Sequence, residues 1–292
     1  MKARQGILIA VFLLGMMGRI ALGQSIDPEN NNANYQKALS LYQSGAAADG
    51  IPYLENILKT NSTIKPAAYD LLGNIYDKLQ QPDKAITAYH EGIKLDPNYK
   101  NLRFNLGLAY FRIKKYADAE QCAIEAIKLD TKHANSQRLY GLVAFHQNKR
   151  VNALLAFCSF ILLDPNNAKA TEARTNIQSI LKGGELKAGQ GTPTTDKTAL
   201  ALNNKLTAII AAGKTKKIAG NALLEYQLKS IFIMAGEHAA KKADKDFFDK
   251  YFAEYFYQLA LRGNMGAFTK LISVDSKDIG LFDWVKNTDR SF

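Results

Sequence analysis

Apolar, small and acidic residues in the central part of the chain recur with a period of 34 residues. Three series keep this spacing, namely Asp96, Asp130 and Asp164, then Gly73, Gly107 and Gly141, and finally Ala85, Ala119 and Ala153. A fixed period of about 20–50 residues predicts a stack of similar supersecondary units. The small residues mark where the two helices of one unit approach most closely, and Pro97 and Pro165 end second helices because proline cannot continue a helix interior.

The spacing and the residues that keep it resemble the tetratricopeptide repeat. The best match is 66–99, which carries Tyr69, Leu72, Gly73, Tyr76, Ala85, Tyr89 and Pro97. Further repeats are expected at 100–133 and 134–167, with a degenerate first repeat at 32–65. The third repeat departs from the family pattern at Arg103, Ala123 and Thr131. The resemblance implies an all-α, right-handed solenoid of helical hairpins with about four repeats.

A different organisation is expected after the repeats. Residues 169–182 read as an amphipathic capping helix, so the solenoid would occupy 24–182. Glycine, proline and threonine are concentrated in 183–197, which predicts a linker. The segment 198–292 has no 34-residue echo but keeps helical periodicity, with helices expected near 198–212, 217–240, 244–262, 264–273 and 279–287. It is interpreted as a small helical C-terminal domain.

One helix of this second half is unusually aromatic. Seven of the eleven residues in 247–257 are Phe or Tyr. A helix that is apolar nearly all round is buried on more than one side. Two interpretations stay open: the helix is the core of the C-terminal domain, or one of its aromatic edges meets a partner or packs on the repeats.

The first 23 residues have the pattern of a secretory signal peptide. Lys2 and Arg4 precede a short apolar run at 7–17, and Ala21 and Gly23 supply small residues at the expected cleavage site before Gln24. The run is shorter than the roughly 20 residues of a membrane-spanning helix, although an uncleaved anchor is the alternative. The sequence therefore predicts an exported protein, periplasmic or extracellular, with no membrane span in the mature chain.

Composition argues against several classes of chemistry. The net charge of +11 is spread over both halves rather than gathered in one basic arm, so nucleic-acid binding is not expected. The four histidines and two cysteines form no recognisable metal or nucleophile motif. We therefore expect no catalytic residues, no metal and no cofactor. Export would permit a disulfide between Cys122 and Cys158, but their repeat positions differ by two, which favours two buried free thiols.

The family resemblance implies that a ligand would bind on the concave face, which the first helices line. The positions that correspond are Asp70, Asn74, Asp77, Asn101, Phe104, Leu108, Phe111, Arg112, Arg138, Leu142, Phe145 and His146, with Lys78 and Asn135 beside them and Gln36, Ser40, Gln43 and Ser44 in the first repeat. Phe104, Leu108 and Phe111 share one helix face, and an apolar face rimmed by charge favours an interaction site.

This groove differs from the basic clamp for acidic chain ends that the family is best known for. Gln36 and Ser40 stand in the first repeat and Phe104 and Leu108 in the third, and only Asn74 matches the clamp. We therefore expect a mainly apolar groove, with Arg112 and Arg138 placed to hold a carboxylate of the ligand.

The sequence thus predicts a non-catalytic exported scaffold or adaptor that binds a protein or peptide segment in the concave groove. Three alternatives remain: the groove is covered by the second half of the chain, the chain is a structural subunit that self-assembles with other copies, or the C-terminal domain is an enzyme.

Overall fold

The computed structural model describes residues 30–183 and 194–273, and in these two ranges the chain is built from helices joined by turns. Eight helices form four successive hairpins. They are α1 (Asn31–Gln43) with α2 (Ile51–Lys59), α3 (Lys65–Lys78) with α4 (Pro82–Leu95), α5 (Lys100–Arg112) with α6 (Tyr116–Leu129), and α7 (Ala134–His146) with α8 (Arg150–Leu163). A 3₁₀ turn, Ala47–Gly50, precedes α2. The all-α fold that the family resemblance implies is confirmed.

Close contacts at the periodic glycines explain why these segments pair as hairpins. A Cβ atom added to Gly73 would lie 2.4 Å from the ring of Tyr89, and one added to Gly141 would lie 2.9 Å from the ring of Phe157. Gly73 and Gly141 therefore leave the space that an aromatic ring of the second helix occupies, whereas a Cβ atom on Gly107 would lie 2.9 Å from Leu139 and 3.1 Å from Cys122. The interpretation of the glycine series as the point of closest approach is confirmed.

The turn inside each of the last three hairpins has the same geometry. Gln80, Lys114 and Asn148 have left-handed backbone angles, with φ of 59°, 61° and 56°. The next backbone N–H then donates to a carbonyl of the preceding helix, as Gln81 N does to Tyr76 O at 2.9 Å. Glycine usually occupies such a position because side chains are strained there. The three non-glycine residues are 34 positions apart, so the repeat extends to backbone conformation.

The chain after the hairpins continues in five helical segments. They are α9 (Ala170–Leu181), α10 (Lys197–Thr215), α11 (Gly220–Ala240), a π-helical turn (Asp249–Ala253) that runs directly into α12 (Glu254–Leu261), and α13 (Met265–Ser273). Helix α9 packs against α8, as expected of a capping helix. The predicted signal peptide, most of the predicted linker and the helix expected near 279–287 lie outside the described residues.

The C-terminal helices pack on the second helix of repeat four. Helices α10, α11, α13 and the π-helical turn all contact α8. The largest core cluster consequently runs without a break from α6 and α7 through α8 and α9 into these helices, whereas two smaller clusters serve the earlier repeats. In the described part of the chain, no helix is both long and apolar enough to cross a membrane.

Candidate protein-binding face

The residues expected to line the groove all lie on first helices of the hairpins. Helix α3 carries Asp70, Asn74 and Asp77, helix α5 carries Asn101, Phe104, Leu108, Phe111 and Arg112, and helix α7 carries Arg138, Leu142, Phe145 and His146. Neighbouring first helices contact one another, α3 with α5 and α5 with α7. The structure therefore brings the predicted residues onto one series of adjacent helices, which we call the first-helix face.

Polar side chains on this face are linked from one repeat to the next. Asn105 donates a hydrogen bond to Asp70 at 2.8 Å, and Arg112 forms an ion pair with Asp77. Arg138 binds both carboxylate oxygens of Glu172 on α9, at 2.9 and 3.1 Å. Partners in each link are 34 or 35 residues apart, because equivalent positions of successive repeats lie side by side.

These links change the expected role of the two arginines. Arg112 and Arg138 were expected to present guanidinium groups to a ligand carboxylate, but each already binds a carboxylate of the chain itself. A ligand carboxylate at either position would have to share the arginine with Asp77 or Glu172. Sequence reasoning missed Asn105 and Glu172. The signal that could have found them is their spacing of 35 residues from Asp70 and 34 residues from Arg138, respectively.

The carboxyl group of Asp70 and the amide of Asn74, both on α3, also form hydrogen bonds within the chain. Burial raises the pKa of Asp70 to about 6, and the hydrogen bond from Asn105 opposes that shift. Asn74 accepts a hydrogen bond of 2.8 Å from the hydroxyl of Tyr89 on α4. Asn74, the only residue that matches the family's clamp for acidic chain ends, is therefore tied into its own hairpin.

The aromatic stripe on α5 is less free than the sequence suggested. Phe104 packs edge-on against His133 with ring centroids 5.2 Å apart, and Phe111 packs against His146 at 5.0 Å. Phe104, Leu108 and Phe111 are partly buried against the largest core cluster. The rings of His133 and His146 therefore cover part of the stripe, and the apolar groove stays a prediction.

Polar residues at the margins of the face remain open to solvent. Asn101 at the start of α5 and Asn135 at the start of α7 are exposed, as are Gln36, Ser40 and Gln43 on α1. The accessible part of the first-helix face therefore combines partly buried rings and aliphatic side chains with neutral amide and hydroxyl groups.

The aromatic segment of the C-terminal half packs on α7 through residues that are not among the predicted groove positions. The ring of Phe252 stacks on Tyr140 of α7, with centroids 5.3 Å apart, and Phe247 meets the same ring edge-on at 5.8 Å. The hydroxyl of Tyr251 donates to the carbonyl of Thr131 at 2.7 Å. Of the two open interpretations, both hold: Phe252 and Phe256 are core residues, and Phe247 and Tyr251 lie against the repeats.

Within residues 30–183 and 194–273, no three His, Cys, Asp or Glu side chains are placed to hold a metal ion. Cys122 and Cys158 are buried free thiols, and burial raises the pKa of Cys122 to about 12 and that of Cys158 further still. Thiols with so high a pKa are poor nucleophiles near neutral pH.

Comparisons with known proteins agree with this architecture. A model of the TPR repeat matches residues 73–114, and a model of the tetratricopeptide repeat matches 101–133. A solved structure described as the first TPR of Spaghetti (RPAP3) bound to the HSP90 peptide SRMEEVD is 32% identical over 41% of this chain and 95% of that chain, with a TM-score of 0.39. The chain belongs to the tetratricopeptide repeat family.

Other matches to this TPR protein include the first TPR domain of human RPAP3, at 31% identity over 41% of this chain and 94% of that chain, with a TM-score of 0.39. PilF of Pseudomonas aeruginosa is 16% identical over 80% of this chain and 91% of that chain, with a TM-score of 0.48. A search of curated proteins gave no match.

Proposed function

We propose that this TPR protein is an exported, non-catalytic adaptor that binds a protein or peptide segment on its first-helix face. TPR domains commonly mediate protein–protein interactions, and a domain 32% identical to this one is described as bound to a peptide. The observation that carries the proposal is the difference in burial between the first helices and the second helix of repeat four. Helix α8 is buried under the C-terminal helices, while exposed side chains remain on the first helices.

The chemistry of the face favours a segment with apolar side chains over an acidic chain end. Arg112 and Arg138 are occupied by Asp77 and Glu172, so little basic charge is left for a terminal carboxylate. The partly buried stripe around Phe104 and Leu108 offers apolar area instead, and burial of apolar surface contributes roughly 25 cal/mol per Å². Amides such as Asn101 would form hydrogen bonds with the backbone of a bound segment.

The adaptor proposal is tested by blocking the exposed margin of the face without touching the core. The variant Asn101→Arg/Asn135→Arg adds two long charged side chains at exposed first-helix positions. The matched control Thr87→Arg/Ala117→Arg adds the same charge at exposed positions of the second helices α4 and α6. Cells that produce each full chain are treated with a crosslinker, and the captured proteins are identified by peptide mapping. The same peptide mapping determines the N-terminal residue of the chain, which tests cleavage of the signal peptide.

The proposal expects a partner that crosslinks to the wild type and to the control but not to the first-helix variant. A purified fragment of that partner should then bind the wild type in a titration and bind the first-helix variant at least tenfold more weakly. Equal capture by both variants would contradict the assignment of this face. An N-terminus at Met1 or Lys2, rather than Gln24, would contradict the proposed export through a cleaved signal peptide.

A further inference from the structure

A cavity lies where the C-terminal helices meet repeat three, and none of its lining residues belongs to a first helix. It has a volume of about 590 Å³, within the range of roughly 300–1,000 Å³ that ligand sites usually have. Lys128 at the end of α6 and Thr131 in the following turn form one wall. Lys245, Phe247, Lys250 and Tyr251 form the other, and Asp246 completes the lining. We call this cavity the junction cleft.

The charge in the junction cleft is positive and only partly compensated. Lys245 forms an ion pair with Glu254, and Asp246 forms one with Lys242. In the part of the chain that the structure describes, no carboxylate pairs with the ammonium groups of Lys128 or Lys250, both of which belong to exposed residues. A cleft with an excess of positive charge raises the local concentration of anions.

The second feature of the junction cleft is a pair of aromatic side chains in a fixed position. The rings of Phe247 and Tyr251 stack with centroids 5.1 Å apart and planes 11° from parallel. Hydrogen bonds of 2.7 Å to the carbonyl of Thr131 and from the amide of Gln137 anchor the Tyr251 hydroxyl. The ammonium group of Lys128 lies 6.0 Å from the centre of the Phe247 ring, so positive charge and aromatic surface are adjacent.

From this juxtaposition we infer that the junction cleft binds a planar aromatic anion, whose ring packs on Phe247 and Tyr251 while Lys128 and Lys250 bind its negative group. Offset or edge-to-face ring contacts favour a flat partner, and ammonium groups in a recess favour a carboxylate over a neutral ligand. The source of this chemistry is either a free small molecule or neighbouring acidic and aromatic residues of a peptide.

The experiment measures the affinity of the full chain for three probes by calorimetric titration. Indole-3-acetate represents the free aromatic anion, and indole-3-acetamide has the same shape without the charge. N-acetyl-Asp-Trp-amide represents the peptide source. The variant Lys128→Gln/Lys250→Gln removes both charges, and Lys59→Gln/Lys114→Gln removes the same charge from exposed lysines elsewhere. Gln at position 114 is compatible with the turn, since Gln80 occupies the equivalent left-handed position.

The inference expects saturable binding of indole-3-acetate or of the dipeptide to the wild type, weakened at least tenfold in Lys128→Gln/Lys250→Gln and unchanged in the Lys59→Gln/Lys114→Gln control. The acetamide should bind at least tenfold more weakly than the acetate. Added salt should lower the affinity of the anions, because it screens their attraction to the lysines. Preference for one of the two anions identifies the source. Failure of both anions to bind, or equal affinity in the two lysine variants, would overturn the inference. Neither result bears on the adaptor proposal, because these probes do not test the first-helix face.

Discussion

Helices α6 and α8 occupy the same place in successive repeats, yet α6 exposes one face to solvent and α8 exposes almost none. The exposed positions of α6 include Ala117, Asp118, Gln121 and Lys128, and the residues 34 positions later are Val151, Asn152, Leu155 and Leu162, all buried. The backbone role is unchanged, so the difference comes from what lies outside the hairpin. Solvent covers the outer face of α6, and the C-terminal helices cover that of α8.

This comparison shows how a repeat protein assigns its two sides. The second-helix side of repeat four has become an internal contact, because Leu155 and Leu162 of α8 stand where α6 has the polar residues Gln121 and Lys128. The first helices keep partly exposed polar and aromatic side chains in every repeat. Equivalent positions of successive repeats therefore differ in composition. Apolar residues mark the side that packs within the chain, and polar residues mark the side that is available to a partner.

The largest expected effect comes from making α8 resemble α6 at its outer face. Leu155→Gln introduces into α8 the residue that α6 has at the equivalent position, Gln121. Leu155 is fully buried, so the change removes apolar contacts and buries an amide among hydrocarbon. We expect a loss of about 3 kcal/mol in the free energy of unfolding, measured by urea denaturation with circular dichroism.

The reciprocal change is the matched control for this substitution. Gln121 is exposed, so Gln121→Leu should alter the free energy of unfolding by less than about 0.5 kcal/mol. Faster hydrogen exchange in α10 and α11 of Leu155→Gln, but not of Gln121→Leu, would show that the C-terminal helices have lost their support. Equal effects of the two changes would mean that the outer faces of α6 and α8 are equivalent after all.

A smaller effect is expected at the start of α8, where a C-terminal residue supplies the helix cap. The side-chain oxygen of Asn203 accepts a hydrogen bond of 3.1 Å from Arg150 N, and its amide donates at 2.7 Å to the carbonyl of Asn148. Neither α6 nor α8 has a cap from its own preceding residue. Asn203→Ala leaves two backbone groups unsatisfied and should cost about 2 kcal/mol.

Asn204 provides the control for the cap, because it is the next residue of α10 and is exposed. Asn204→Ala should be nearly neutral in the same thermal or urea unfolding measurement. A cost for Asn203→Ala no greater than that for Asn204→Ala would show that water replaces the cap, and α8 would then begin as α6 does.

Much of the repeat architecture was predictable because it depends on local spacing. The 34-residue series of glycine and alanine marks the closest approach of paired helices, and this follows from side-chain size alone. The residue types in the turns were less informative: Gln80, Lys114 and Asn148 adopt a conformation for which glycine would have been the usual signal. The repeated geometry becomes visible only when the backbone is known.

The packing between the two halves was not predictable because it joins residues far apart in sequence. The apolar composition of α8 carried the signal, since 13 of its residues are buried and an ordinary second helix needs an apolar stripe on one side only. Composition alone does not distinguish the C-terminal helices from a partner protein as the cover of α8. Likewise, the pairing of Arg112 with Asp77 needed the lateral register of neighbouring first helices, and the role of the first-helix face stays a prediction.

The smallest expected effect tests whether hydrogen bonds or packing hold the aromatic segment on the repeats. The Tyr251 hydroxyl donates to the carbonyl of Thr131 and accepts from the Gln137 amide, both at 2.7 Å. Gln137 also donates to the same carbonyl at 2.8 Å, so Tyr251→Phe leaves Thr131 with one partner. We expect a cost of about 1 kcal/mol in chemical denaturation, the usual net value of a hydrogen bond.

Tyr226→Phe is the control, because no hydrogen bond to the Tyr226 hydroxyl is formed within the described residues, and it should change stability by less than about 0.5 kcal/mol. The ring of position 251 is retained in Tyr251→Phe, so stacking on Phe247 is preserved. A cost of 3 kcal/mol or more would mean that the hydroxyl, rather than the buried rings of Phe252 and Tyr140, determines where the segment lies. No cost at all would assign the contact between the two halves to apolar packing alone, and α8 would then differ from α6 only in the area that it buries.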